Sequence, residues 1–166
     1  MALALLALAL ASAPAPAAAG DAVERRRDQI AREVLAIGAE IRRELVSGDV
    51  SAIASRVPPD GLRCAGRLVP RARVERDLGT PGAWLHDALF GRKELAARGA
   101  PSLASLLRSS HDVAMGVSFA PDPRAALFGR PCLEFRAKGA PPPGTPLCFE
   151  KRGGRWWLTE SLYPCG

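Results

Sequence analysis

Pro131-Cys-Leu-Glu-Phe-Arg-Ala137, Pro146-Leu-Cys-Phe-Glu-Lys151 and Arg155-Trp-Trp-Leu-Thr-Glu-Ser-Leu-Tyr163 carry the strongest strand signal in the chain. Leu133 and Phe135 alternate with Cys132, Glu134 and Arg136, and Leu147 and Phe149 repeat the pattern, the period-two signature of half-buried strands. Between them, Lys138-Gly-Ala-Pro-Pro-Pro-Gly-Thr145 holds three prolines that cannot donate to a ladder, so it is expected to be the loop of a hairpin. Setting Leu133 opposite Phe149 and Phe135 opposite Leu147 gathers all four apolar side chains on one face. A slip of one residue would expose them all. Gly153-Gly154 supplies the positive φ angles of a tight turn. A third strand then returns from Arg155 to Tyr163 with Trp156, Leu158 and Leu162 on one face.

Upstream the composition turns helical. Over Asp21 to Ser47, Ile30, Val34, Ile37, Ile41 and Leu45 follow the spacing that makes one apolar stripe, with Arg26, Arg27, Arg32, Glu33, Glu40 and Arg43 elsewhere. Gly48 ends this helix and Asp49 caps a short one, Val50 to Arg56, which Pro58-Pro59 stops. Leu62 to Val69 reads as a short strand or hairpin interrupted at Ala65-Gly66, and Arg71 to Leu78 as helix. Thr80-Pro81 reads as an N-cap with proline at the first helical position, opening a helix that ends at Gly91. A short helix over Leu103 to Arg108, a strand over Asp112 to Phe119 and a Pro121-Asp-Pro123 turn complete the order. Helices first and sheet last predict an α+β fold, with N-terminal helices packed on a C-terminal antiparallel sheet.

The N-terminus bears on where the chain works. Ala2 to Ala11 is an Ala/Leu run too short to span a bilayer, and Ala17 and Ala19 give the A-x-A pattern of signal peptidase cleavage. No Lys or Arg precedes the run. The expectation is a signal peptide over residues 1–20 and one domain over 21–166, located in a periplasm or outside the cell, with no transmembrane anchor after processing. In such a compartment the four cysteines, Cys64, Cys132, Cys148 and Cys165, are expected to pair. The preferred pairing is Cys132 with Cys148 across the hairpin and Cys64 with Cys165. Because the register above sets Glu134 opposite Cys148, Cys132 with Cys165 stays open as an alternative.

The formal net charge is +6, and all but three of the 23 basic residues are arginine. With abundant Ala, Leu, Gly and Pro, this bias fits a GC-rich bacterial coding sequence better than selection for a polyanion. Arg63, Arg67, Arg71, Arg73 and Arg76 nevertheless fall in one short stretch that could meet an anionic surface. Nucleic acid is a poor fit because no aromatic residues interleave to stack bases.

A long helix, a short helix opening with Gly-Asp, a Pro-Pro-Asp-Gly turn into a strand, more helix, and a sheet ending in Phe149-Glu-Lys-Arg-Gly-Gly-Arg-Trp-Trp-Leu158 together resemble the nuclear transport factor 2-like superfamily, also called ketosteroid-isomerase-like or cystatin-like. That resemblance implies a curved sheet wrapped around the long helix in a cone-shaped body, whose pocket serves small ligands or dimerisation, or is simply filled. Catalytic members of the superfamily use acids in an apolar pocket with a tyrosine as oxyanion donor. The single tyrosine here, Tyr163, lies beside Pro164-Cys165 and no acid matches, so catalytic residues do not carry over.

What remains for chemistry is sparse. His86 and Asp87, near Trp84, are the best acid-base candidates, with Trp156 and Trp157 as further pocket candidates. Ser110-His111-Asp112 is no triad, since consecutive side chains diverge. The two histidines and four cysteines lack the close pairing of a zinc site, and no phosphate-cradling loop is present. No metal or cofactor is expected. The sequence therefore points to an exported, disulfide-bonded, non-catalytic binding or interaction module, its partner a small hydrophobic ligand or an envelope component. The alternatives are a small-molecule enzyme of the ketosteroid-isomerase-like type and an anionic-surface binder through Arg63 to Arg76.

Overall fold

The computed structural model describes residues 16–64, 67–91, 101–122, 128–139 and 146–159. Among the described residues, five helices, α1 (Pro16–Ser47), α2 (Val50–Ala54), α3 (Arg71–Gly79), α4 (Trp84–Phe90) and α5 (Leu103–Ser109), precede or interleave with six strands. The strands are β1 (Leu62–Cys64), β2 (Arg67–Val69), β3 (Val113–Ala120), β4 (Arg130–Ala137), β5 (Leu147–Arg152) and β6 (Arg155–Leu158). β1 and β2 pair with each other, and β3-β4-β5-β6 form an antiparallel sheet in sequence order. The fold is α+β, as the element order predicts.

The stripe on α1 becomes the core face: Val34, Ile41 and Leu45 are buried, with Ile30 and Ile37 packed against the same cluster. Midway along it Gly38 is buried, and a Cβ there would sit 2.7 Å from Leu133 Cδ1. The absent side chain lets α1 lie directly on β4. At its C-terminus, carbonyls left over by the helix geometry accept from Arg108 of α5, whose Nε and Nη2 reach the Val46 and Leu45 oxygens at 3.1 and 3.2 Å. Arg56 follows α2 and clamps it to α1, donating to both oxygens of Glu44 and to Glu40.

The hairpin register differs from the sequence expectation. Cys132 stands opposite Cys148 and Leu133 opposite Leu147, two residues away from the pairing of Leu133 with Phe149. A shift of two preserves which face each side chain takes, so Leu133, Phe135, Leu147 and Phe149 are all still buried. The apolar pattern alone could not separate the two registers. Cross-strand Cys132 and Cys148 form a disulfide, the preferred pairing. Cys64 is also disulfide-bonded, while Cys165 lies outside the described residues.

Three further boundaries move. α1 begins at Pro16 and its backbone runs through the expected cleavage position at Gly20. Thr80 does not cap α4: it closes α3, donating from its hydroxyl to the Arg76 oxygen at 2.8 Å, and α4 starts at Trp84 after a turn in which Gly82 takes φ +91°. Proline at 81 opens that turn instead of the helix. β6 ends at Leu158, and the continuation toward Tyr163 lies outside the described residues from 160 onward. No helix among the described residues is long and apolar enough to cross a membrane.

Candidate functional site

A cavity of about 480 Å³ opens where the N-terminal half of α1 crosses the far end of the sheet. That volume lies within the range of small-molecule pockets. Its apolar wall is built by Ile30, Leu62, Phe128, Phe149, Trp156 and Leu158, drawn from α1, β1, the approach to β4, β5 and β6. Trp156 and Leu158 share a face of β6 because they are two residues apart.

Two tethers hold the walls in place. On one side Glu33 joins α1 to the sheet: its Oε2 accepts from Lys151 Nζ at 2.7 Å and from Trp156 Nε1 at 2.8 Å, while Oε1 accepts from Gln29 at 3.0 Å. The Lys151 hydrogen bond, followed by that from Trp156, holds the Glu33 carboxyl below its ordinary value of 4.5, against a smaller opposing effect of burial. Arg26, Ile30 and Glu33 follow i, i+4, i+7 spacing and so share one helix face. Fixing Glu33 thus sets Arg26 and Ile30 over the cavity. On the other side Leu158 N donates to the Arg56 oxygen at 2.9 Å and Arg155 Nη2 to the Ser55 oxygen at 2.9 Å. These bonds tie β6 to the segment leading through Pro58 and Gly61 into β1.

The polar part of the lining is dominated by cations: Arg26, Arg63, Arg130, Lys151 and Arg152, with Asp122 and Glu150 as the carboxylates. Arg130 is paired with Asp122 through Nη2 at 2.5 Å and Nε at 3.0 Å. Arg152 is paired with Asp60 at 3.1 Å and with Glu150.

Of the pocket residues expected from sequence, only Trp156 lines this cavity. Trp84, on α4, is 49% exposed. His86 serves the scaffold, its Nδ1 lying 2.7 Å from the Leu78 oxygen and its ring 5.6 Å from that of Phe90. A carbonyl oxygen can only accept, so Nδ1 carries the hydrogen of that bond. Asp87 accepts from Gly82 N at 3.1 Å and steadies the turn before α4. Trp157 takes the opposite face of β6 beneath the Arg155 guanidinium, 4.3 Å away. His111 stands exposed ahead of β3.

The expected basic patch separates by role. Arg71 is a structural residue, bonded to Glu75 at 2.7 Å and to the Val57 and Ala54 oxygens at 3.0 and 3.4 Å. Arg73 lies 3.9 Å from Asp77, Arg67 and Arg76 are exposed, and Arg63 belongs to the cavity wall. Sequence reading missed Arg26, Ile30, Phe128 and the Asp122–Arg130 pair. The i, i+4, i+7 relation of Arg26, Ile30 and Glu33 was the available signal for the first two. The Asp122–Arg130 pair forms only when β3 and β4 meet. Among the described residues no group of three His, Cys, Asp or Glu side chains could hold a metal ion.

No protein-family model, curated protein or solved structure matches the chain.

Proposed function

We propose that the protein is an exported, non-catalytic binding module that holds a small, largely apolar ligand between α1 and the sheet. The observation that carries this reading is the cavity of about 480 Å³ whose half-buried apolar wall is Ile30, Phe128 and Trp156, tethered at Glu33. Two features of its chemistry support binding over catalysis. The lining carboxylates Asp122 and Glu150 are engaged by Arg130 and Arg152, and neither His86 nor His111 borders the cavity. The apolar leader and the Cys132–Cys148 disulfide support a periplasmic or extracellular location. The resemblance of the element order to the nuclear transport factor 2-like superfamily, with its ligand pocket, supports the same reading.

The test is titration with N-phenyl-1-naphthylamine, a neutral dye that fluoresces in apolar surroundings. Saturable one-to-one binding is expected in the native protein, weakened in Ile30→Trp and in Phe128→Trp, each of which would narrow the cavity. Equal binding by native and narrowed variants that melt normally would refute the assignment.

A further inference from the structure

Five cations face two carboxylates around the cavity, and three of the five already have carboxylate partners: Arg130 with Asp122, Lys151 with Glu33, and Arg152 with Asp60 and Glu150. The other two differ. Arg26 donates only to the neutral Gln29 Oε1, at 3.0 Å, and Arg63 has no polar partner among the described residues. They come from different elements, α1 and β1, and border the same apolar wall of Ile30 and Leu62. A neutral guest would displace water from beside these guanidinium groups and offer nothing in exchange, whereas an acidic group would supply charge-assisted, bidentate bonds.

Building on the binding reading above, we infer that the ligand is an acidic amphiphile. Its carboxylate or phosphate head sits at Arg26 and Arg63, and its hydrocarbon body lies against the half-buried Ile30, Phe128 and Trp156. Arginine suits either head, since its planar fork matches both geometries. Arg26 reaches the Glu33 tether only through the Gln29 amide, and the Lys151 and Trp156 bonds to Glu33 and the Leu158 bond to the Arg56 oxygen involve neither guanidinium, so both arginines can be replaced with those bonds kept.

The experiment is calorimetric titration of the full oxidised chain, below micellar concentrations, with dodecanoate, dodecyl phosphate, 1-dodecanol and dodecyltrimethylammonium. The proteins are wild type, Arg26→Ala/Arg63→Ala, the milder Arg26→Gln/Arg63→Gln, the cavity-narrowing Ile30→Trp, and Arg73→Ala as a basic control away from the cavity. The expected result is one-to-one binding of the two acids, about tenfold to a hundredfold tighter than dodecanol, as one or two charge-assisted bonds imply. Both double variants should fall to the dodecanol level while their affinity for dodecanol is unchanged. Arg73→Ala should match wild type and Ile30→Trp should bind each ligand more weakly. The stronger of the two acids identifies a fatty-acid-like or a phospholipid-derived head. Dodecanol or the ammonium binding as tightly as the acids, or an acid preference surviving in the double variants, would overturn the head-group inference and leave the cavity reading standing. Binding of none of the four by wild type would overturn both.

Discussion

Replacing Gly38 by Ala should destabilise the protein, although removing a glycine from a helix interior normally stabilises it by about 1 kcal/mol. Gly38 sits in the middle of α1 against β4, where an added Cβ would lie 2.7 Å from Leu133 Cδ1, 3.0 Å from Cδ2 and 3.4 Å from Cγ. Leu133 is 1% exposed, so it cannot swing away without displacing its own neighbours. Overpacking of this kind costs about 1–3 kcal/mol. Set against the propensity gain, the expected change is a net loss of about 0–2 kcal/mol. The diagnostic comparison uses the Leu133→Ala background, itself about 2–5 kcal/mol less stable. There the obstructing methyls are gone, and Gly38→Ala should become stabilising by about 1 kcal/mol. Urea unfolding followed by circular dichroism on the four proteins gives the coupling energy, expected at about 1–3 kcal/mol. Equal stabilisation by Gly38→Ala in both backgrounds would refute the packing of α1 on β4.

Removing the hairpin disulfide by Cys132→Ala/Cys148→Ala should cost about 2–4 kcal/mol in urea unfolding; an unchanged midpoint would deny it a stabilising role. Glu33 is held below its ordinary 4.5 by Lys151 and Trp156, so the stability it contributes is complete above that value and is lost as pH falls through its lower folded value. Glu33→Gln should therefore differ most from wild type near neutral pH, and the two stability curves should converge in acid, as chemical denaturation across pH would show. Arg71→Ala should lower stability by about 1–2 kcal/mol because it releases the Val57 and Ala54 carbonyls, whereas Arg73→Ala should change it by less than about 0.5 kcal/mol. Thermal melts of the pair distinguish a structural from a solvated arginine.

Local patterns were the legible part of the sequence. The stripe from Ile30 to Leu45 identifies the core face of α1, Asp49 caps α2 by accepting from Ala52 N, and Gly153 and Gly154 take φ +57° and +79° at the β5–β6 turn. Each depends on neighbours a few residues away. The hairpin register was not legible because a two-residue shift keeps Leu133, Phe135, Leu147 and Phe149 on the same face, so hydrophobic pattern carries no preference. The Cys132–Cys148 bond belongs to the observed register. Thr80-Pro81 reads locally as a helix start, but the Thr80 hydroxyl donates to the Arg76 carbonyl and closes the preceding helix.

The cavity illustrates the same divide. Adjacent tryptophans on a strand face opposite ways, which makes both Trp156 and Trp157 pocket candidates, and only Trp156 lines the cavity. Arg26, Leu62, Arg63 and Phe128 come together through tertiary contacts between α1, β1 and the β3–β4 end of the sheet. Nothing at any one of those positions distinguishes it from its neighbours. His86 and Asp87 are residue types suited to acid-base chemistry, yet their partners are the backbone of Leu78 and Gly82.

Native mass spectrometry of the protein recovered from its own host, beside the Ile30→Trp variant expressed there in the same way, tests the central claim most directly. The account predicts an organic molecule of acidic, lipid-like mass held non-covalently by the wild type, at one per chain, and at lower occupancy in the narrowed variant. The same occupancy on both proteins, or bare wild-type protein, would contradict it.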